Sequence, residues 1–453
     1  MRTTFESKRE DNRTFLNHIF MNLLNREPDA EGLCHYLDLM EHKGYSKRQI
    51  VRCIKGSEEY RLLHSKSEVP KLELENSRLN DQEIHERKFH LKSKPPIFNI
   101  DLIGKCNMNP PCAMCLNWDG EIGPRHHAGL KKSDIEQYGD FIRLSQSVIN
   151  CSIGEPLLTK DLIPILNLFS SWEKQFGINS NGIALSKELT DKLVPYFDYL
   201  TINFSIDAAT EKTYSRIRGK FFDRVIDNIS YYCQKRLELF PDGLVSRVGM
   251  VMIPMRVNFD EIEEFIRLAA RIGVDTVELR ALNEIDHDVK VKKDDFLFNY
   301  RDQILAIDEL EEARKIAENA AREFGVVLDC QYQVSEEKTY DFFLPESFRD
   351  SGIKCILPWR YLLPYQNGDT IGCCFMTESL GSWREKGLDS LWNSPRLQKM
   401  RKEMSSGILP SECWKYSSCP VVKAEKLKQK DMDLHMEKND IIAKIETIKN
   451  EIS

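Results

Sequence analysis

Tyr199-Leu200-Thr201-Ile202-Asn203-Phe204-Ser205-Ile206-Asp207 is the stretch that decides the fold. With the two-residue period of an extended strand, Ile202, Phe204 and Ile206 take one face and Asn203, Ser205 and Asp207 the other. Strands of a fully covered parallel sheet usually read as continuous apolar runs; this one offers an apolar face to helices and a polar face to something else. The alternation recurs. Asn99 and Asp101 oppose Phe98 and Ile100 in 97–104, Asn150 and Ser152 oppose Ile149 in 148–154, Asn179 and Asn181 share a face in 177–181, and Glu278 and Arg280 oppose Val277 and Leu279 in 275–282. Further strands fall at 247–254 and 326–329, with helical stretches such as 161–174 and 259–272 between them. Six or seven βα units in succession predict an α/β fold whose parallel sheet is closed, or nearly closed, into a barrel. A packed eight-stranded barrel is filled with branched apolar side chains, so the polar faces predict an open barrel with a polar ligand in its lumen.

Outward from the barrel, the 453 residues allow two to four domains. With 41% hydrophobic and 30% charged residues the chain buries a sizeable core, which excludes wholesale disorder and fibrous repeats. A net charge of −7 and a pI near 5.9 argue against nucleic acid as a partner. The longest apolar stretch, around 248–255, is far shorter than the ~20 residues that span a bilayer, and residues 1–15 have no apolar core of an export signal. A cytoplasmic location is expected. Residues 1–66 form a helical module. Its Leu24 to Leu33 (Leu-Asn-Arg-Glu-Pro-Asp-Ala-Glu-Gly-Leu) and Ser57-Glu58-Glu59-Tyr60 resemble a small helical domain of unknown function, DUF4214. Residues 67–94 read as a charged linker or exposed helix with little apolar surface for docking, 95–335 as the barrel, 336–424 as a Cys-rich domain, and 425–453 as a charged helical tail.

Thirteen cysteines in a chain without an export signal point to metal before disulfides. Two groups stand out. Cys106, Cys112 and Cys115 lie on the loop after the first strand, where barrel enzymes place their active sites. Three thiolates do not fill a closed zinc site, which takes four ligands, but on an iron–sulfur cluster they leave one iron free. Here the sequence resembles the radical S-adenosylmethionine (radical SAM) enzymes, in a Cys-x5-Cys-x2-Cys variant of their usual Cys-x3-Cys-x2-Cys. Ile153-Gly154-Glu155-Pro156 resembles the family's Gly-Gly-Glu-Pro, Asn179 to Gly182 its Thr-Asn-Gly strand end, and Ser205-Ile206-Asp207 with Tyr214 and Ile217-Arg218-Gly219 a further stretch. The resemblance spans 97–282 and implies a partial (β/α)6-type barrel. It implies S-adenosylmethionine and a [4Fe–4S] cluster on Cys106, Cys112 and Cys115, with Met114, Gly154, Glu155, Asn181, Ser205, Asp207 and Arg218 around the cofactor. Glu155 would receive the methionyl ammonium, and Arg218 the carboxylate. An ordinary helix-end cation at Arg218 and a strand-end cap at Asp207 are the competing readings. His126 and His127 follow on a loop and read as exposed.

The second group, Cys355, Cys373, Cys413 and Cys419, resembles the C-terminal SPASM or twitch extension that carries auxiliary clusters. Asn367-Gly368-Asp369 predicts a hairpin turn that returns Cys373 beside Cys355, and four thiolates would close one auxiliary [4Fe–4S] cluster; a zinc site with the same four cysteine ligands is the alternative. Cys374, facing the other way, reads as a bystander, and Cys34, Cys53, Cys151, Cys233 and Cys330 as small buried hydrophobes.

The resemblance implies reductive cleavage of S-adenosylmethionine to a 5′-deoxyadenosyl radical that takes hydrogen from substrate. A reductase such as flavodoxin or ferredoxin would supply the electron. Glu278 and Arg280 are the candidate catalytic residues in the lumen, with a mutual ion pair as the alternative. A sugar or polyol oxidation is the favoured reaction, with a peptide-modifying maturase as the second reading and a non-catalytic iron–sulfur carrier as a remote third. The substrate is a small molecule or a peptide, and the N-terminal module is a candidate docking point for a protein partner.

Overall fold

The computed structural model describes residues 2–109, 111–115, 129–241, 243–282, 290–293, 296–331, 343–416, 419–426 and 428–429. His126, His127 and most of the charged tail lie outside them.

Six parallel strands alternate with helices: β1 (Ile97–Ile100), β2 (Ser147–Asn150), β3 (Phe176–Ser180), β4 (Leu200–Ser205), β5 (Val248–Met252) and β6 (Thr276–Leu279). After a separate hairpin, β7 (Lys290–Lys293) and β8 (Phe296–Asn299), come β9 (Val327–Cys330), β10 (Tyr361–Pro364) and β11 (Thr370–Ile371). The main sheet has the order β11-β10-β1-β2-β3-β4-β5-β6-β9. The expected hairpin around Gly368 is β10–β11, with Gly368 in the left-handed region at φ +106°. Its position is the surprise: β10 pairs in parallel with β1, Phe98 opposite Leu362. The Cys-rich region therefore continues the barrel sheet.

The outer faces pack as the alternation requires. Phe98 meets Tyr138 and Phe141, Phe176 stacks on Phe169, and Phe204 meets Tyr232, all on surrounding helices. On β2 the alternation is displaced by one residue. The register sets Ile149 beside Asn99 and Gly177, so within β2 Ile149 faces the lumen and Asn150 does not, while Ser152, past the strand end, does line the cavity as expected. Asn150 instead sits on the helix side, where its Oδ1 accepts the Leu102 N–H at 3.0 Å. Because side chains alternate strictly, a slip of one residue exchanges the two faces.

Residues 67–94 are not a linker. Helix α5 (Val69–His85) follows α1 (Arg2–Leu24), α2 (Ala30–Glu41), α3 (Lys47–Lys55) and α4 (Glu58–His64), and it buries a polar stripe at Glu73, Asn76, Asn80 and Glu83. Each of these side chains is hydrogen-bonded. Asn76 exchanges bonds with the Lys94 backbone, Asn80 donates to Ser93 and the Trp359 carbonyl, Glu83 accepts the Lys92 and Ser93 N–H groups, and Glu73 pairs with Arg61 and the buried Lys174. A stripe without apolar residues reads as exposed in a sequence, but it is stable inside when its polar side chains find partners.

The helical module is docked in the same way, against the N-terminal ends of the strands. Arg52 pairs with Asp275, just before β6, where Arg236 at 3.5 Å and the Val248 N–H at 2.9 Å also converge. Lys55 donates to the Gly243 carbonyl, and Glu173 gathers the Ser65 and Ser67 hydroxyls and the Lys66 N–H. Arg52→Ala is expected to lower stability by about 2 kcal/mol. That is less than the roughly 3–5 kcal/mol of a fully orphaned buried charge, because Arg236 and the Val248 N–H remain on Asp275. Denaturant unfolding checks it, and an unchanged midpoint would mean the docking carries no energy. Among the described residues no helix is long and apolar enough to cross a membrane.

Candidate active site

The loop after β1 is held by its neighbours as well as by a hydrogen bond of its own. The Ala113 N–H donates to the Ile217 carbonyl at 2.7 Å and the Cys115 N–H to the Cys112 carbonyl at 3.0 Å. Asn181 Nδ2 reaches Asn107 Oδ1 at 2.7 Å and Cys106 Sγ at 3.7 Å, while Arg218 Nη1 reaches Cys112 Sγ at 3.5 Å. Cys106, Cys112 and Cys115 consequently face one cavity of about 650 Å³ at the C-terminal strand ends. Met114, Gly154, Glu155, Asn181, Ser205 and Arg218 line it too.

Gly154 is demanded by the protein's own backbone. A Cβ there would stand 2.3 Å from the Ile103 carbonyl oxygen and 2.5 Å from that of Lys105. The close approach lets the loop after β2 hydrogen-bond to the loop after β1, Gly154 N–H to Ile103 and Glu155 N–H to Lys105. The Glu155 carboxylate accepts from the Leu157 N–H at 3.0 Å, Ser180 Oγ at 2.8 Å and the Asn181 N–H at 2.7 Å. Burial pushes its pKa up, against those donors and Arg218. Its observed work is to fix the end of β3, where Asn181 meets the cysteine loop.

Asp207 departs from the expected cofactor contact. It is fully buried, is not among the cavity-lining residues, and adopts φ +60°. One carboxylate oxygen accepts the Ile253 N–H at 2.7 Å and the other accepts Arg218 Nε at 2.6 Å. Burial opposes charge on the guanidinium, yet Asp207 and Cys112 together raise the Arg218 pKa and keep it ionised. Asp207 is thus a positioning residue acting through Arg218.

Glu278 and Arg280 do not line this cavity either; they lie beside it in the lumen. Glu278 is buried and accepts from Asn203 at 2.6 Å, Gln331 at 3.3 Å and Arg280 Nε at 3.1 Å. Arg280 reaches across to Asn179 Oδ1 at 3.3 Å, and Asn179 does line the cavity. The mutual ion pair of the alternative reading is present.

In the C-terminal region Cys355 is buried among Cys373, Cys413 and Cys419. Burial first, and the neighbouring sulfurs after it, push the Cys355 thiol far up and that of Cys413 to about 12. Backbone groups of Leu357, Phe375, Met376, Val421 and Val422 hydrogen-bond these sulfurs. Cys374 is exposed and shares a hydrogen bond with Cys373. Cys34 and Cys151, expected inside, are exposed as well. Among the described residues no three His, Cys, Asp or Glu side chains close on a point as the ligands of one ion do. The donor sets fit iron–sulfur clusters: thiols only, with N–H groups of the kind that tune cluster potentials, and a cavity within the roughly 300–1,000 Å³ of cofactor sites.

Residues 100–278 match the radical SAM superfamily, 355–420 an iron-sulfur cluster-binding domain, SPASM, and 2–63 a domain of unknown function, DUF4214. Over 183 residues the chain is 27% identical to the mycofactocin maturase MftC of Mycolicibacterium smegmatis, covering 40% of this chain and 43% of that one. Over 197 residues it is 27% identical to a probable GTP 3′,8-cyclase of Saccharolobus islandicus, covering 41% and 56%. The chain thus matches about half the length of these curated relatives. The fold is similar to Streptococcus suis SuiB, with a TM-score of 0.55 at 15% identity over 91% of this chain and 87% of that one. It is also similar to SuiB bound to the precursor peptide SuiA, with a TM-score of 0.55 at 16% identity over 78% and 75%. With three cysteines on one cavity and four more gathered beyond the barrel, the matches fall where the chemistry-bearing residues lie: the barrel region 100–278 is similar to the radical SAM superfamily, with a region similar to the iron-sulfur cluster-binding SPASM domain behind it and one similar to DUF4214 before it.

Proposed function

We propose that the chain modifies a peptide, the second of the readings drawn from its sequence. The observation that carries this is the likeness to the mycofactocin maturase across the barrel, joined to a SPASM region that continues the barrel sheet through β10. Neither the maturase nor the cyclase that the barrel resembles is named for a sugar or polyol oxidation. Cys106, Cys112 and Cys115 would hold the cluster at the cavity, and Cys355, Cys373, Cys413 and Cys419 a single auxiliary one. A cluster held there, with S-adenosylmethionine, would supply one-electron reductive chemistry for hydrogen abstraction from substrate. The chain's own residues orient and shield this chemistry. Arg218, held by Asp207, sets its charge beside Cys112; Glu155 and Asn181 fix the opposite wall; and Ser205 lines the cavity between them. An external reductase remains part of the proposal.

The test is incubation of reduced, anaerobically reconstituted enzyme with short precursor peptides encoded beside its gene. Mass loss in a peptide, dependent on S-adenosylmethionine, supports the reading; oxidation of sugars or polyols with every peptide unchanged would replace it. Cys413→Ala is expected to lose about four irons and to collapse product formation while slow, unproductive cofactor cleavage persists. Iron analysis beside a thermal midpoint checks this, since a lost ligand also costs folding energy. Full iron content in Cys413→Ala, or iron lost from Cys374→Ala, would overturn the ligand set.

A further inference from the structure

The lumen below the cysteine-lined cavity has a floor whose hydrogen-bonding capacity is only partly used. Asn99, Ile149 and Gly177 lie abreast on β1, β2 and β3. Asn99 is 8% exposed; its Nδ2 donates to the Tyr361 hydroxyl at 3.2 Å, but its Oδ1 has no partner among the described residues. A buried acceptor without a donor is costly and calls for an explanation. Tyr361, having accepted that bond, keeps its own O–H to donate. On the far side, Arg280 spends Nε and Nη2 on Glu278 and Asn179, leaving Nη1 to donate. An unused acceptor with a donor at one end, and a donor at the other, match the N–H and C=O groups of peptide units.

Between the two ends the floor is apolar and accessible. Ile149 is 39% exposed to the lumen, and Gly177 beside it carries no side chain. With neighbouring strands about 4.8 Å apart, β1 to β3 is about 10 Å, the span of one residue with its flanking peptide units. Charge decides what that residue carries. Glu278 already neutralises Arg280, and Asp329, in register with Glu278, stands on the same lumen face, so a substrate carboxylate would meet carboxylates. A lysine or arginine head would be set over Ile149.

We propose that Asn99, Ile149 and Gly177, with Tyr361 and Arg280 at the ends, seat one uncharged apolar residue of the substrate peptide by its two flanking peptide units. The inference rests on the peptide reading above and deepens it. Glu278 is on this account a positioning residue, its oxygens filled by Asn203, Gln331 and Arg280.

The probes are blocked amino acids with two peptide units, the N-acetyl N-methylamides of leucine, aspartate and lysine, added to reconstituted enzyme with S-adenosylmethionine and followed by ligand-observed NMR. The leucine probe is expected to bind most tightly. Asn99→Ala should weaken it by about tenfold, the size of one lost buried hydrogen bond, Ile149→Asp by more, and Ile149→Leu should retain it. Equal binding of the charged probes, or unchanged leucine binding in Asn99→Ala, overturns the proposal. Iron content and thermal midpoint check each variant's fold, and if Ile149→Asp fails to fold, Asn99→Ala decides. If the wild type modifies a precursor peptide but the probes do not respond to these variants, only the subsite is refuted. If no peptide is modified, the peptide reading itself fails.

Discussion

Cys112→Ala is expected to abolish cleavage of S-adenosylmethionine and to remove about four irons, leaving the auxiliary site filled. Three thiolates are the least that hold a cubane with one iron open, and Cys112 is also where Arg218 Nη1 meets the loop. Its loss removes a ligand and the partner of a buried guanidinium together. Arg218 keeps Asp207 through Nε and Nη2, so the barrel should stay folded and the defect should be chemical. Iron analysis, electron paramagnetic resonance of the reduced protein and chromatography of 5′-deoxyadenosine measure it. Cleavage that survives the substitution, or a protein that takes up zinc and no iron, would refute the assignment of this loop.

Gly154→Ala is expected to cost about 3 kcal/mol or more, at the upper end of what overpacking does, and to empty the first site although it replaces no ligand. The added methyl carbon would sit 2.3 Å and 2.5 Å from the carbonyl oxygens of Ile103 and Lys105 and 2.8 Å from the Gly104 carbonyl carbon. All three are backbone atoms, which cannot rotate away as a side chain does. Relief requires parting the two loops, and that breaks the bonds from the Gly154 and Glu155 N–H groups. Lys105 precedes Cys106, so the displacement passes straight to the first thiol. Gly139→Ala, where a Cβ meets nothing within 4 Å, is the control and should leave thermal midpoint and iron unchanged. A Gly154→Ala protein with full iron and an unaltered midpoint would show that the loops are more compliant than their contacts imply.

How much was legible in the sequence depended on whether the signal was local. The alternation from Ile202 to Ser205 announced a strand with a helix face and a lumen face, but it read on to Asp207, which lies past the strand end, turns through φ +60° and is buried away from the cavity. On β2 a run with Val148, Ile149, Asn150 and Cys151 fits either face, and only pairing with β1 decides which points inward. Helix α5 was misread because its buried stripe is polar; Asn80 is buried by what it bonds to, Ser93 and Trp359, the second 279 residues away. The docking of the helical module was invisible for the same reason, since Arg52 and Asp275 are 223 residues apart. Glu155 and Asp207 stood in motifs that suggest contact with a cofactor. Their own neighbourhoods show carboxylates engaged with backbone N–H groups and a guanidinium, a distinction no spacing conveys.

The parallel pairing of β10 with β1 bears on how this enzyme can be cut. A fragment ending at the last barrel helix would not be a smaller, self-sufficient barrel. It would carry β1 as a raw margin, its N–H and C=O groups and the Phe98 level of the sheet open to the next strand that drifts past, which is the hazard of unprotected sheet edges. Such fragments should aggregate through strand-to-strand addition, and chimeras that exchange the rear domain must carry 361–364 along with it. For this chain the seam between catalytic and auxiliary parts does not follow a linker; it runs along a ladder of backbone hydrogen bonds.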